Sequence, residues 1–287
     1  MTVQPRPIRS FQPGRAPAPR RAAFLAPTSP VPGSPVPPAP RPAFLPVKPE
    51  ETKSGGWATF LHVIMALNLA LIGLNLVVGL FVGFVIMFMP DSALAQEFRD
   101  LIGIGWPSWG GVAFAFVAMG LVPVVWLLGT RVVPWKGTVE FLQLHFEWRW
   151  VWRGFALLGV LLAAYAALIG VSLLFPEEEE PEGFAEAVDR LTWPLILAVA
   201  LTAGITEEIL FRGVLFRWVG WWGQGLLFAA AHVAAGNPWQ IGFTLVVGLA
   251  FGWLRLRGWS LVSLMIAHVL YDVVALAILK IAGASST

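Results

Sequence analysis

Long apolar runs separated by short polar segments make up the chain from residue 57 onward. The first run, 57–89, contains no charged residue, and as a helix it would be about 50 Å long, well over the roughly 30 Å hydrocarbon core of a bilayer. The other apolar runs are 109–133, 154–175, 191–216, 218–235, 239–254 and 259–281. The pattern predicts an all-α, polytopic transmembrane helical bundle of about seven spans, the first of them tilted or protruding.

Charged residues between the runs predict how the spans are oriented. Acidic residues follow the first run, whereas Arg131 and Lys136 follow the second, and Arg255 and Arg257 follow the sixth. Because Lys and Arg are enriched in short cytoplasmic loops, the amino terminus is predicted to be cytoplasmic. The acidic segment 177–189 is predicted to be a solvated outer loop, since its consecutive carboxylates lack the alternating ligand spacing of a calcium loop.

Composition divides the chain into three parts. Residues 1–54 hold 15 of the 23 prolines and several arginines, which predicts a disordered, Pro/Arg-rich cytoplasmic tail. Residues 55–153 are predicted to form two transmembrane helices and an interfacial amphipathic segment at 134–153, and residues 154–287 the remaining spans. The chain lacks cysteine, which excludes disulfides and thiol catalysis. Nucleic-acid binding is disfavoured, because the cations lie in the tail and beside hydrophobic spans.

Ionisable residues inside the predicted spans are few, and most lie in the carboxyl-terminal half. They are His62, Glu207, Glu208, Arg212, His232, His268 and Asp272. At 1.5 Å per residue, Glu207, His232 and His268 lie roughly 15, 20 and 14 Å from the predicted cytoplasmic ends of their helices. Polar groups from three helices are therefore predicted to meet near the middle of the membrane. His62 and His145 have no such neighbours and are predicted to be structural or interfacial.

Three pairs of residues share a helix face because their members are four positions apart. These pairs are Glu208 and Arg212, Phe228 and His232, and His268 and Asp272. A charge near a helix centre costs about 2.5 to 3.5 kcal/mol on insertion, so Glu208 and Arg212 are predicted to form a structural ion pair. Glu207 is turned about 100° from Glu208 and is predicted to face a neighbouring helix, where a carboxylate could act as a general base on a water held by an imidazole.

These motifs, in this order on successive spans, resemble the CPBP family of intramembrane, metal-independent glutamic proteases, which includes the CAAX prenyl endopeptidases and the bacterial Abi-type immunity proteins. The resemblance covers about residues 190–282. It implies peptide hydrolysis within the membrane, with Glu207 and His232 activating a water and with His268 and Asp272 stabilising the oxyanion. Family members carry Asn or Asp at the last position. An ionised Asp272 cannot donate a hydrogen bond, so Asp272 is predicted either to be protonated or to orient His268, and orientation is the preferred interpretation.

The resemblance gives supporting roles to Glu208, Arg212 and Phe228, with Phe228 packing against the site, and it implies no cofactor. One alternative is a zinc site built from Glu207, His232 and His268, which are acceptable zinc ligands; the protein would still be a protease. Another is a non-catalytic membrane protein, either a proton-coupled carrier or an immunity-type interaction protein. The first three spans lack the matching polar half and the internal repeat that many carriers show.

The sequence therefore predicts an integral membrane protein, of a bacterial cell membrane, that acts as an intramembrane endopeptidase. Its predicted partners are a membrane-anchored protein or peptide substrate and the lipid bilayer.

Overall fold

The computed structural model describes residues 55–105, 108–130, 135–172, 174, 188–235 and 238–284. The predicted tail and most of the acidic segment lie outside these residues. Within them, all regular secondary structure is helical, as predicted. The helices are α1 (Gly56–Phe88), α2 (Ala93–Gly105), α3 (Trp109–Gly129), α4 (Trp135–Leu142), α5 (Trp148–Ser172), α6 (Trp193–Glu207), α7 (Phe216–Ala230), α8 (Pro238–Leu256) and α9 (Leu261–Ala284). A π-helical segment, Glu208–Leu215, joins α6 to α7, and α3 contains another at Phe116–Leu121.

Six stretches in the described residues are long and apolar enough to cross a membrane, where the sequence predicted about seven. The difference lies in Trp193–Ala230, which reverses at Gly220, where a φ of 68° interrupts the helix. The rings of Phe211 and Phe228 are 5.4 Å apart, whereas a straight helix would separate them by about 25 Å. The predicted fourth and fifth spans are therefore two segments that fold back on each other. The second, 221–230, would be about 15 Å long and is too short to cross a bilayer.

Two segments between the spans also differ from the prediction. The loop predicted after the first span contains α2, whose first turn is capped by the Ser92 hydroxyl accepting the Ala95 N–H at 3.1 Å. The predicted interfacial segment divides into the short helix α4 and the start of α5. Helix α5 begins at Trp148 rather than at Gly154, so Trp and Arg residues, which are common at membrane interfaces, continue the helix beyond its apolar run.

Helix α1 exposes most of its length. Leu67, Leu74 and Val77 are 60% or more exposed, as side chains that face lipid are expected to be. Its buried residues Leu61 and Met65 join a central hydrophobic cluster that draws on most of the other helices. Helix α9 packs against both α5 and α6, which places it inside the bundle.

Glycines bring the site-bearing helices close together. A Cβ on Gly204 would lie 2.7 Å from the Val269 nitrogen, so α6 and α9 touch backbone to backbone beside His268. A Cβ on Gly248 would lie 2.9 Å from the Gly225 carbonyl oxygen, so α7 and α8 are also in close contact. Any larger residue at these positions would push the helices apart.

Candidate active site

Glu208 and Arg212 form the predicted ion pair. Arg212 Nη1 donates to Glu208 Oε1 at 2.9 Å, and both side chains are fully buried. The guanidinium carbon lies 4.1 Å from the Phe228 ring centroid and 5.2 Å from that of Phe251. Among the described residues, Arg212 Nε and Nη2 have no hydrogen-bond partner, so cation–π contacts with these rings stabilise that side of the charge.

The imidazole of His268 separates this buried pair from two more accessible carboxylates. Its Nδ1 lies 2.9 Å from Glu208 Oε1. Its Nε2 lies 4.0 Å from Glu207 Oε2 and 3.6 Å from Asp272 Oδ2. The side chains of Glu207 and Asp272 are 14% and 19% exposed, whereas that of Glu208 is fully buried. Two helices, α6 with its π segment and α9, thus bring four of the predicted residues together around one ring.

The bond from His268 to Glu208 was not predicted from the sequence. The sequence predicted that Glu208 pairs only with Arg212 and that Asp272 orients the His268 ring. In the structure, Glu208 makes the short contact with His268, while the 3.6 Å between Asp272 and Nε2 is too long for a hydrogen bond. Glu208 is therefore the residue that orients the imidazole.

His232 lies just beyond the end of α7 and is fixed by its own helix. Its Nδ1 lies 2.8 Å from the Phe228 carbonyl oxygen, which can only accept, so Nδ1 carries a proton and Nε2 is free to accept in the neutral ring. The Phe228 ring lies 4.8 Å from the His232 ring and 6.0 Å from the His268 ring. Phe228 thus packs between the two imidazoles, in line with its predicted packing role.

Glu207 carries an unpaired buried oxygen. Its Oε2 has no hydrogen-bond partner among the described residues, and Glu207 and His232 make no direct ion pair there. Buried polar atoms are normally satisfied, and an exception at a cluster of ionisable groups marks a place where a reacting molecule can bind.

Arg255 lies in the last turn of α8, at the end of the span where the sequence places it, and its side chain turns inward beneath the site. It is 5% exposed, and its Nε donates to the Arg212 carbonyl oxygen at 3.3 Å. It also donates to the Trp259 carbonyl oxygen at 2.9 Å. A usable signal was its spacing, since Arg255 shares a helix face with Gly248 and Gly252, which pack closely against α7.

The alternative zinc ligands Glu207, His232 and His268 come from three different segments of the fold. No group of three or more His, Asp or Glu side chains in the described part of the chain is placed to hold a metal ion. The Nδ1 atoms of His232 and His268 bond to Phe228 and Glu208, which leaves the Nε2 atom of each ring to face another partner.

The two remaining histidines lie elsewhere. Trp126 Nε1 donates to His62 Nδ1 at 3.0 Å, which joins α1 to α3. The His145 side chain is exposed, and its carbonyl oxygen accepts the Ser260 hydroxyl at 3.0 Å. Both positions agree with the structural role predicted for these residues.

Six apolar, membrane-length helices in the described residues define an integral membrane protein, with a cluster of carboxylates around the His268 imidazole inside the bundle. Residues 189–274 match the family model described as type II CAAX prenyl endopeptidase Rce1-like. The match contains every predicted site residue. It confirms the resemblance to CAAX-type membrane proteases over these residues.

A curated bacterial protein is also similar to the chain. The uncharacterized protein YpbD of Bacillus subtilis (strain 168) is 29% identical over 132 residues, which are 45% of this chain and 68% of that protein. No solved structure matches the chain significantly.

Proposed function

We propose that the protein is an intramembrane endopeptidase that cleaves a membrane-anchored protein or peptide with a water activated by Glu207 and His232, without a metal ion. The observation that carries the proposal is the division of the site by His268. On one side lies the fully buried Glu208–Arg212 pair, and on the other lie the partly exposed side chains of Glu207 and Asp272. The buried pair fixes the orientation of the His268 ring, and the side with Glu207 and Asp272 is where substrate and water can bind.

Glu207 is the general base in this mechanism. Its unpaired Oε2 accepts a proton from the water while the water oxygen attacks the scissile carbonyl carbon. His232 Nε2 accepts the second hydrogen bond of the same water, because Nδ1 is committed to the Phe228 carbonyl oxygen. When the tetrahedral intermediate collapses, the C–N bond breaks and the proton on Glu207 passes to the leaving amine.

His268 stabilises the negative oxygen of the intermediate. In its imidazolium form the ring donates from both nitrogens, so Nδ1 stays on Glu208 while Nε2 faces the developing oxyanion. The site holds three carboxylates against the two guanidinium groups of Arg212 and Arg255, so a positive charge on His268 offsets the remaining negative charge. A preorganised donor of this kind typically contributes about 10² to 10³ in rate.

The experiment that tests the function compares peptide termini in membranes from cells that carry either the wild-type or the Glu207→Gln protein. New carboxyl and amino termini that require Glu207 are expected, and they identify the substrate. Glu140→Gln, which changes an exposed carboxylate on α4, is the matched control. Identical sets of termini in wild-type and Glu207→Gln membranes would contradict the proposal and favour the non-catalytic alternatives.

A further inference from the structure

Helix α1 has a second buried patch near its carboxyl-terminal end. Val82 and Val85 are 7% and 3% exposed, whereas Phe81 and Phe84 between and beside them are each 55% exposed. Gly83 is also buried. A lipid-facing helix buries a narrow stripe of this kind where another part of the protein packs on it.

The element packed there is the short 3₁₀ helix Val233–Ala235, which directly follows His232 and packs chiefly against α1. A Cβ built on Gly83 would overlap the Val233 carbonyl oxygen and lie 2.8 Å from its carbonyl carbon. One turn earlier, a Cβ built on Gly79 would lie 3.5 Å from the Ala234 Cβ, which is ordinary van der Waals distance. The backbone of residue 233 therefore rests directly on the backbone of α1.

This contact bears on His232 because the two residues are adjacent. On its amino-terminal side, His232 is held by α7: its N–H donates to the Ala229 carbonyl oxygen at 2.9 Å, and its ring bonds to Phe228. On its carboxyl-terminal side, the next residue is held by Gly83. The Val233 carbonyl is part of the peptide that joins Val233 to Ala234, so a shift of that peptide is passed to His232 through the single residue between them.

We propose that α1 positions His232 for catalysis, through the docking of Val233–Ala235 on the face of α1 that carries Gly79 and Gly83. The inference rests on the proposed function, since it assigns a role in the same reaction. It adds that a span outside the matched residues 189–274 is part of the catalytic unit. Gly83 is a positioning residue, because it acts through Val233 and touches neither substrate nor water.

Three glycines of α1 allow a matched test with a single kind of substitution. Gly83→Ala must displace the Val233 backbone, Gly79→Ala introduces an ordinary contact with Ala234, and Gly73→Ala enters open space with nothing within 4 Å. The probe is a farnesylated, internally quenched CAAX peptide, assayed with purified protein in detergent micelles. A misplacement of about 1 Å costs about 10² in rate, so kcat of Gly83→Ala is expected to fall by about that factor with KM unchanged.

The two control variants are expected to keep kcat within twofold of the wild type. A general weakening of the bundle would lower the folded fraction without separating kcat from KM in the folded protein. If folded Gly83→Ala keeps the wild-type kcat, the inference is overturned.

A disulfide gives a second test that does not require Gly83→Ala to fold. The chain has no cysteine, and the 3.5 Å between the Gly79 Cβ position and Ala234 Cβ suits a disulfide. Gly79→Cys/Ala234→Cys is expected to oxidise readily and to keep the activity of its reduced form, because the docked arrangement is the active one. Failure to cross-link, or activity that appears only after reduction, would overturn the inference.

The two proposals can fail separately. Cleavage that persists in Glu207→Gln would overturn the proposed mechanism, whereas the cross-linking yield reports the docking of Val233–Ala235 on α1 whatever the chemistry.

Discussion

The carboxyl-terminal helices and the first helix differ in the side chains that they bury and expose. Helices α6 and α9, with the π segment between α6 and α7, enclose charged groups: Glu208 and Arg212 are fully buried and His268 bridges to them. Helix α1 has no charged residue and exposes much of its apolar surface, yet it holds the segment after His232 by close packing. Substitutions in the first region are therefore expected to unbalance the buried charges or to remove a reacting group. Substitutions in α1 are expected to change the position of His232.

The largest effect is expected from breaking the buried ion pair. Arg212→Ala leaves Glu208 buried without its cation, which costs about 3 to 5 kcal/mol in the free energy of unfolding. The measurement is denaturant unfolding in micelles, followed by the fluorescence of the chain's 15 tryptophans. Leu67→Ala on the lipid-facing side of α1 is the contrasting variant and is expected to change stability by about 0.5 kcal/mol or less.

Protein level should suffer more than chemistry in Arg212→Ala. An abundant, stable but inactive variant would contradict the structural role given to this pair.

Removing the oxyanion donor is expected to leave the fold intact. His268→Ala should lower kcat by about 10² to 10³, because it removes the Nε2 donor and the contact with Glu208. The quenched peptide measures the rate, and size-exclusion chromatography measures the folded fraction. His145→Ala, which changes an exposed ring, serves as the control. Equal rates for the two variants would remove His268 from the mechanism.

Separating α6 from α9 is expected to reduce the rate without removing any reacting group. In Gly204→Ala the new Cβ meets the Val269 backbone, so Glu207 and Glu208 move away from His268. A fall in kcat of about tenfold to 10² is expected. Gly159→Ala on α5, where nothing lies within 4 Å, should behave as wild type. If both variants kept full activity, close packing at Gly204 would not be required by the site.

The smallest effect is expected at Asp272. Since Glu208 already orients the ring, Asp272→Asn keeps the shape of the side chain and should change kcat by only a few-fold. A loss comparable to that of His268→Ala would show that the carboxylate itself takes part in the reaction.

The candidate site residues could be selected from the sequence because ionisable residues are rare in apolar helices. The depth and spacing of Glu207, His232, His268 and Asp272 predicted that they belong to one site, and the family match covers them all. The spacing of Glu208 and Arg212 also predicted their ion pair, which local geometry alone determines.

What could not be predicted depends on how helices pack against one another. The bond between Glu208 and His268 requires the register of α6 against α9. The burial of Arg255 depends on how α8 packs against its neighbours, which its position at the end of an apolar run does not reveal. In the sequence, the docking at Gly83 is marked only by the pair Gly79 and Gly83, and glycines with this spacing are common in membrane helices. The helix after the reversal at Gly220 ends at Ala230, so it is shorter than the predicted fifth span, 218–235.

Metal dependence is decided by a simple treatment. If the water is activated by Glu207 and His232 alone, dialysis of the purified protein against a chelator should leave kcat unchanged. Loss of activity that zinc restores would favour the alternative site of Glu207, His232 and His268.

The central claim is that Glu207 is the base that activates the attacking water. The most direct measurement is the single-turnover rate of peptide cleavage by purified Glu207→Gln, at a folded fraction equal to that of the wild type. An amide cannot accept the proton, so cleavage is expected to fall below detection while the peptide still binds. Cleavage at the wild-type rate would contradict the account.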